Sequence, residues 1–289
     1  MAPPAKPLQK RTASVNLPEP ANAKQGEGTA IQVTDDVLCV RTLIANLCLV
    51  GTNDWVLVDA GIPYSTGMIL NAVRARFGEE RRPQCILLTH AHFDHVGALK
   101  PLAERWDVPV YAHERELPYL TGQADYSPPD PTVGGGLMAR LSPLYPRRGI
   151  DLGARVQALP AGGEVPHLPD WRWIHTPGHT RGHVAFFRQR DRLLLAGDAF
   201  TTVQQESALA VMTQRPEIHG PPMYFTTDWA AAGDSVRRLQ ALKPATAVTG
   251  HGLPMSGETL ERGLLLLAQN FERMAMPDHG IYVHRPVQG

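Results

Sequence analysis

From Ile31 onward the chain alternates short apolar runs with polar breaks. VLCV (37–40), NLCLV (46–50) and WVLVDAG (55–61) are separated by Asp35 and Asp36 and by Gly51, Thr52, Asn53 and Asp54. That pattern predicts antiparallel strands joined by hairpins. From Ser65 to Phe77 the period lengthens: Met68, Ile69, Ala72, Val73 and Phe77 fall on one helical face, and Gly78 supplies the stop. A strand is predicted at CILLTH (85–90), then a helix from Leu99 to Trp106 that tolerates Pro101 in its first turn, then a strand at VPVYAH (108–113).

The second half repeats the theme. WRWIHT (171–176), HVAFFR (183–188) and LLLAGD (193–198) read as strands. A helix capped by the Asp228 carboxylate ends before Pro244, and Ala245 to Val248 reads as a short buried strand. Ser256 is the expected cap of a last amphipathic helix running towards Met274. No internal repeat is evident. Blocks of strands separated by helices predict an α/β fold with one mixed sheet or two sheets.

Two stretches lack a period. Residues 1–30 are rich in Pro, Ala and Lys and read as an extended or disordered arm, or as a segment that packs on a partner subunit. Gly122 to Ile150 is dominated by Pro, Gly and Tyr, and so long a connection reads as a lid or an interface element within a single domain over 31–289, with a plain disordered insertion as the alternative. The apolar side chains of the arm and the insertion make a homodimer an expectation.

Composition narrows the partners. Lys and Arg number 28, as do Asp and Glu, so no global field favours nucleic acid or an anionic membrane. The N-terminus has basic residues but no apolar core of a signal peptide, and no run of eighteen apolar residues occurs, so a soluble cytoplasmic protein acting on a small molecule is expected. Cys39, Cys48 and Cys85 sit in apolar runs without paired spacing and are expected to be buried thiols.

The chemistry concentrates in THAHFDH (89–95), which offers three imidazoles and a carboxylate, donors shared by zinc, iron and manganese. His90 and His92, two apart, point to the same side of an extended segment, and Asp94 and His95 project from the turn that follows. Three further donors stand beside glycines at predicted strand ends: His179 in PGHT, Asp198 in AGDAF and His251 in TGHG.

VDAG (58–61), THAHFDH, PGHT (177–180), GD (197–198) and GHG (250–252), in this order, resemble the motifs of the metallo-β-lactamase superfamily. The resemblance spans Ile31 to the final helix. It implies an αββα sandwich, two mixed sheets flanked by helices, with metals at one edge. It implies that His90, His92 and His179 hold one metal, that Asp94, His95 and His251 hold a second, and that Asp198 bridges them. Two zinc ions per chain are expected, with iron or manganese as alternatives. Asp59 of VDAG is expected to support a ligand, and His183 either supports the site or lies on a strand surface.

On this resemblance the chain is a dinuclear hydrolase in which a metal-bridging hydroxide attacks a small ester, lactone or thioester. Asp94 is the candidate for proton transfer to the leaving group, besides its role as ligand. Asp198 and the lack of a signal peptide argue against a true β-lactamase, and residues 252–289 leave room for one long helix rather than a glutathione-gripping domain. Thr201 stands where lactonases of this ligand set carry a tyrosine. Val203 to Trp229 resembles a segment of bacterial probable metallo-hydrolases. Within it Glu206, Arg215 and Tyr224 are candidate substrate contacts, or residues that pack the loop. The competing readings are a mononuclear iron persulfide dioxygenase, a phosphodiesterase or β-lactamase-like activity, and a metal-binding scaffold without catalysis.

Overall fold

The structure, a computed structural model, describes residues 30–79 and 81–283. The expected N-terminal arm therefore lies almost wholly outside the described residues, as does His284. A first sheet of seven strands runs β1 (Ala30–Thr34), β2 (Val37–Thr42), β3 (Ala45–Gly51), β4 (Trp55–Val58), β5 (Ile86–Leu87), β6 (Val110–Ala112) and β7 (Val156–Ala158), side by side in chain order. β1 to β4 pair antiparallel, and β4 to β7 pair parallel. The second sheet holds β8 (Glu164–Val165), β9 (Leu168–His175), β10 (Val184–Arg188), β11 (Leu193–Gly197), β12 (Thr246–Thr249) and β13 (Met255–Ser256), paired in order from β8 to β13, with β11 and β12 parallel.

The two-residue period of the strands sorts their side chains into layers. In β3, Cys48 and Val50 point between the sheets, where they join Val56, Val58 and Leu87 against Phe186, Leu193, Leu195 and Val248 of the second sheet. Leu47 and Leu49 point the other way, onto α1 (Thr66–Phe77) and α2 (Leu99–Trp106), through Ile69, Val73, Leu102 and Trp106. On the far face, Phe187, Leu194 and Ala247 pack on α6 (Trp229–Ala241) and α7 (Gly257–Gln269) through Val236, Leu239, Leu260 and Leu264. Four layers result, two mixed sheets inside and helices outside.

The short helices α3 (Leu117–Leu120), α4 (Leu137–Leu141), α5 (Ala208–Thr213) and α8 (Phe271–Met274) complete the chain. Among the described residues no helix is long and apolar enough to cross a membrane. All three cysteines are buried and free.

Departures from the expected pattern have local causes. CILLTH contributes only Ile86 and Leu87 to the ladder, because the Thr89 amide leaves it to donate to Asp59 Oδ1 at 2.8 Å. The last helix breaks at Asn270 into α7 and α8. Ser256 occupies the cap position of α7 without a capping hydrogen bond, whereas the Asp228 side chain does accept from the Ala231 amide at 2.9 Å. The Gly122 to Ile150 stretch is packed rather than loose: Tyr126, Val133 and Ala139 are buried, and α4 lies within it.

Arg188 ties the sheets together. At the end of β10 its guanidinium is almost fully buried and donates to Asp191 (2.7 Å), to Thr34 (3.2 Å) and, at 2.6 Å, to Asp36 in the turn between β1 and β2, while stacking on Trp171. Removing one partner of a buried ion pair leaves the other charge uncompensated. Arg188→Met is expected to cost about 2 to 3 kcal/mol in urea unfolding, below the ~3 to 5 of a wholly buried pair because both carboxylates keep water. A change under about 0.5 kcal/mol would show the tie to be inert.

Candidate metal centre

The cluster forms where strands end. The carboxyl ends of β5, β11 and β12 face one edge of the sandwich, the place where open α/β sheets present their ligands. The loop after β5 carries His90, His92, Asp94 and His95; the turn between β9 and β10 carries His179; Asp198 and His251 follow β11 and β12. Gly197, at φ 52°, takes the left-handed conformation that lets the chain turn here, and a Cβ on Gly250 would sit 2.0 Å from Asp198 Oδ1.

All seven expected donors converge and all are buried. Three groups have their ligand atoms within 4.8 Å of one another: His90, His92 and His179; His90, His95 and Asp198; Asp94, His95 and His251. Asp198 reaches across them. Its Oδ2 lies 3.1 Å from His251 Nε2 and 3.4 Å from His179 Nε2, and its Oδ1 lies 3.5 Å from His95 Nε2. His92 Nδ1 and His179 Nε2 approach to 2.9 Å, and Asp94 Oδ2 lies 3.5 Å from His251 Nε2.

The other ring nitrogens are committed outward. Nδ1 of His95 donates to Asp59 Oδ2 (2.9 Å) and Nδ1 of His251 to the Ile44 carbonyl (2.7 Å). Nδ1 of His90 donates to the Thr89 hydroxyl (3.0 Å), which is itself spent on Asp59 Oδ2, and Nδ1 of His179 faces the Thr226 hydroxyl at 3.3 Å. In the neutral tautomer this leaves the four Nε2 lone pairs turned inward. His90 Nε2, His95 Nε2 and Asp198 Oδ1 are buried without a hydrogen-bond partner, a costly state for polar atoms that a cation between them would relieve. The donor set therefore fits metal ions.

Electrostatics divides the imidazoles. Burial holds His90 and His92 well below the usual histidine range, and takes His179 down to about 4. Burial also opposes charge on His95 and His251, yet Asp198 raises both, helped by Asp59 for His95 and Asp94 for His251. Against burial, the neighbouring His251 and His95 hold Asp198 well below the usual carboxylate range. Asp94 goes the other way, pushed up by burial.

The remaining candidates scatter. Asp59, at φ 62°, uses both oxygens on Thr89 and His95 and so fixes two ends of the His-rich loop. His183 is buried rather than on a strand surface: its Nε2 accepts from the Asp198 amide at 2.9 Å, and burial pushes its pKa down to about 3. Tyr224 is buried beside the cluster, and burial together with the Asp94 charge raises its hydroxyl well above the usual range. Glu206 is buried but anchors loops, accepting from the Met223 amide at 2.8 Å. Arg215 is exposed after α5, beside Glu217, and makes no contact with the cluster. Thr201 spends its hydroxyl on the Val203 carbonyl.

Residues without a sequence signal complete the surroundings. The rings of Tyr126 and Phe225 lie 4.4 Å and 4.6 Å from that of His92, and Phe93 packs on Tyr145. Buried Glu116 touches the loops on both sides of the cluster. Aromatics in Pro- and Gly-rich loops announce no period, and only their burial reveals them.

Two mixed sheets with a His and Asp cluster at their shared edge define a metal-binding α/β sandwich. The sequence pattern of the metallo-beta-lactamase superfamily matches residues 41–251. The chain is 51% identical over 216 residues to probable metallo-hydrolase YflN of Bacillus subtilis (strain 168), covering 75% of this chain and 82% of that protein. It is 30% identical over 200 residues to probable metallo-hydrolase YybB of the same organism, covering 69% and 76%. Among solved structures it is similar to TTHA1623 in a di-iron-bound form, with 29% identity, a TM-score of 0.52, and 78% and 96% of the two chains covered. A B3 metallo-beta-lactamase with an active-site glutamic acid shares the fold, at 21% identity, a TM-score of 0.59, and coverage of 84% and 88%. This chain belongs to the metallo-beta-lactamase superfamily.

Proposed function

We propose that the chain is a hydrolase that uses two metal ions, zinc in the first instance, to cleave a small ester, lactone or thioester. The observation that carries this reading is that one buried carboxylate, that of Asp198, lies within reach of two separate donor groups. His90, His92 and His179 would hold one ion, Asp94, His95 and His251 the other, with Asp198 shared. Ions so held would supply a hydroxide nucleophile at neutral pH and a Lewis acid for a carbonyl. The relatives named as probable metallo-hydrolases support the reaction class, and the di-iron form of TTHA1623 makes iron the alternative metal. The second donor group, Asp94 with His95 and His251, favours two ions over the single iron of a dioxygenase.

The chain's own residues do the rest. The Asp94 carboxylate, 3.5 Å from His251 in the second donor group, is placed to accept a proton and pass it to a departing alkoxide or thiolate. The Tyr224 hydroxyl, kept protonated, is a donor for the carbonyl oxygen, taking the part that Thr201 cannot. Phe93, Tyr145 and Phe225 exclude water from the approach to His92.

The test is a hydrolytic screen of the purified zinc-loaded protein over lactones, aryl esters, thioesters and phosphodiesters, with the metal content measured alongside. Turnover of one carbonyl class with about two ions per chain is expected. One iron per chain and oxygen consumption on a persulfide would overturn the proposal.

A further inference from the structure

Glu116 closes a single 3-10 turn, Glu114–Glu116, just after β6, and its side chain is fully buried. Each carboxylate oxygen accepts from two donors. Oε2 takes the Ala91 amide at 3.0 Å and the Tyr126 hydroxyl. Oε1 takes the Thr180 hydroxyl at 2.7 Å and the Gly182 amide at 2.9 Å. Ala91 lies between His90 and His92, and Thr180 follows His179 directly. The carboxylate thus spans the two loops that supply the first donor group, one from each sheet. A backbone bond, the Val184 amide to the Thr89 carbonyl at 2.9 Å, joins these loops at the start of β10; Glu116 ties them beside the histidines themselves.

The site is shaped for this residue. A Cβ on Gly182 would lie 2.6 Å from Glu116 Cγ and 2.7 Å from Oε1, so the loop approaches this closely only because position 182 is glycine. The Tyr126 ring that completes the cage packs on the His92 ring and stacks on Tyr119 at 3.9 Å. Among the described residues, other groups serve His95 and His251: Asp59 and the Ile44 carbonyl accept from their rings, and Asn46 donates to the Thr249 and Gly252 carbonyls on either side of His251.

We propose that Glu116 is a positioning residue that sets the metal affinity of the His90, His92 and His179 group alone. The inference rests on the reading of that group as a metal site. In Glu116→Gln the amide nitrogen must face either the Ala91 or the Gly182 backbone amide, donor against donor whichever way the Tyr126 and Thr180 hydroxyls turn, and one loop must withdraw. Partners of this outlying kind typically change metal affinity by about 10- to 100-fold.

The experiment is a competition titration of the full chain, stripped of metal, with zinc against a chromophoric chelator, together with the visible spectrum of the cobalt-substituted protein. In the native chain two ions bind. In Glu116→Gln one ion is expected to bind about 10- to 100-fold more weakly and the other within about twofold of native, with the cobalt spectrum changed at the weakened site. Tyr126→Phe and Thr180→Val, which each delete one donor and keep the charge, should weaken the same single ion by a smaller factor, and they decide the matter if Glu116→Gln does not fold. Equal weakening of both ions in step with lost thermal stability, or no change in either, would overturn the positioning role while leaving the proposed function standing. A native chain that binds no metal would overturn both.

Discussion

Asp198→Ala is expected to abolish metal binding and hydrolysis together. The carboxylate supplies an oxygen within 3.5 Å of His95, His179 and His251, and within 4.0 Å of His90. Among the described residues it is the carboxylate whose oxygens approach both donor groups, so its loss leaves His90, His92 and His179 as a neutral trio and removes negative charge that would offset the cations. Metal content should drop from about two ions to below one per chain, and hydrolysis should fall by more than about 100-fold, beyond the range seen for partners that only support a ligand. Elemental analysis of the purified variant, paired with rates on whichever carbonyl substrate the native protein turns over, checks both halves. Full metal content with native activity would end the bridging role. Asp198→Asn keeps the shape without the charge and should fall between the two.

Stripping the metal should destabilise the whole domain. An ion that binds the folded chain and not the unfolded one stabilises it by about 4 kcal/mol when free ion exceeds the dissociation constant 1,000-fold. For a chain of this size each kcal/mol moves the melting temperature by about 2 to 4 °C, so each ion lost should lower it by roughly 8 to 16 °C. Calorimetric scans in chelator, and again after zinc is restored, measure the difference. Identical scans would mean that the buried donors hold no ion. Asp198→Ala should melt at the lower temperature with or without zinc.

How far the sequence carried can be followed residue by residue. The apolar run NLCLV marks β3 as a strand, but only the structure sorts Leu47 and Leu49 from Cys48 and Val50, because both faces of that strand are buried, in different layers. Four of the cluster's side chains lie within one short motif, and His179, Asp198 and His251 are each flanked by a glycine that a tight turn or a close approach requires. Glu116 escaped because its meaning lies in contacts 25 and 66 positions away, which no local pattern encodes. Arg215 shared a segment with Tyr224 but not a place. The six residues of α5 are too few to show a period, and the chain leaves that helix on the surface. His113 and His175 stack on each other at 4.3 Å, outside the cluster.

Every donor group draws on both sheets. The first sheet's loop brings His90, His92, Asp94 and His95, and the second brings His179, Asp198 and His251, so that no group is complete with one sheet folded. The pair His92 and His179 alone closes a chain segment of 87 positions. Loop closure of that length costs entropy before any contact rewards it, and the donor groups are complete only once the two sheets have docked. An ion seated there has to be surrendered before the halves can part. Metal loss and strand separation then become one kinetic event, and the barrier that keeps the sandwich closed is set in part by how tightly its edge grips a cation.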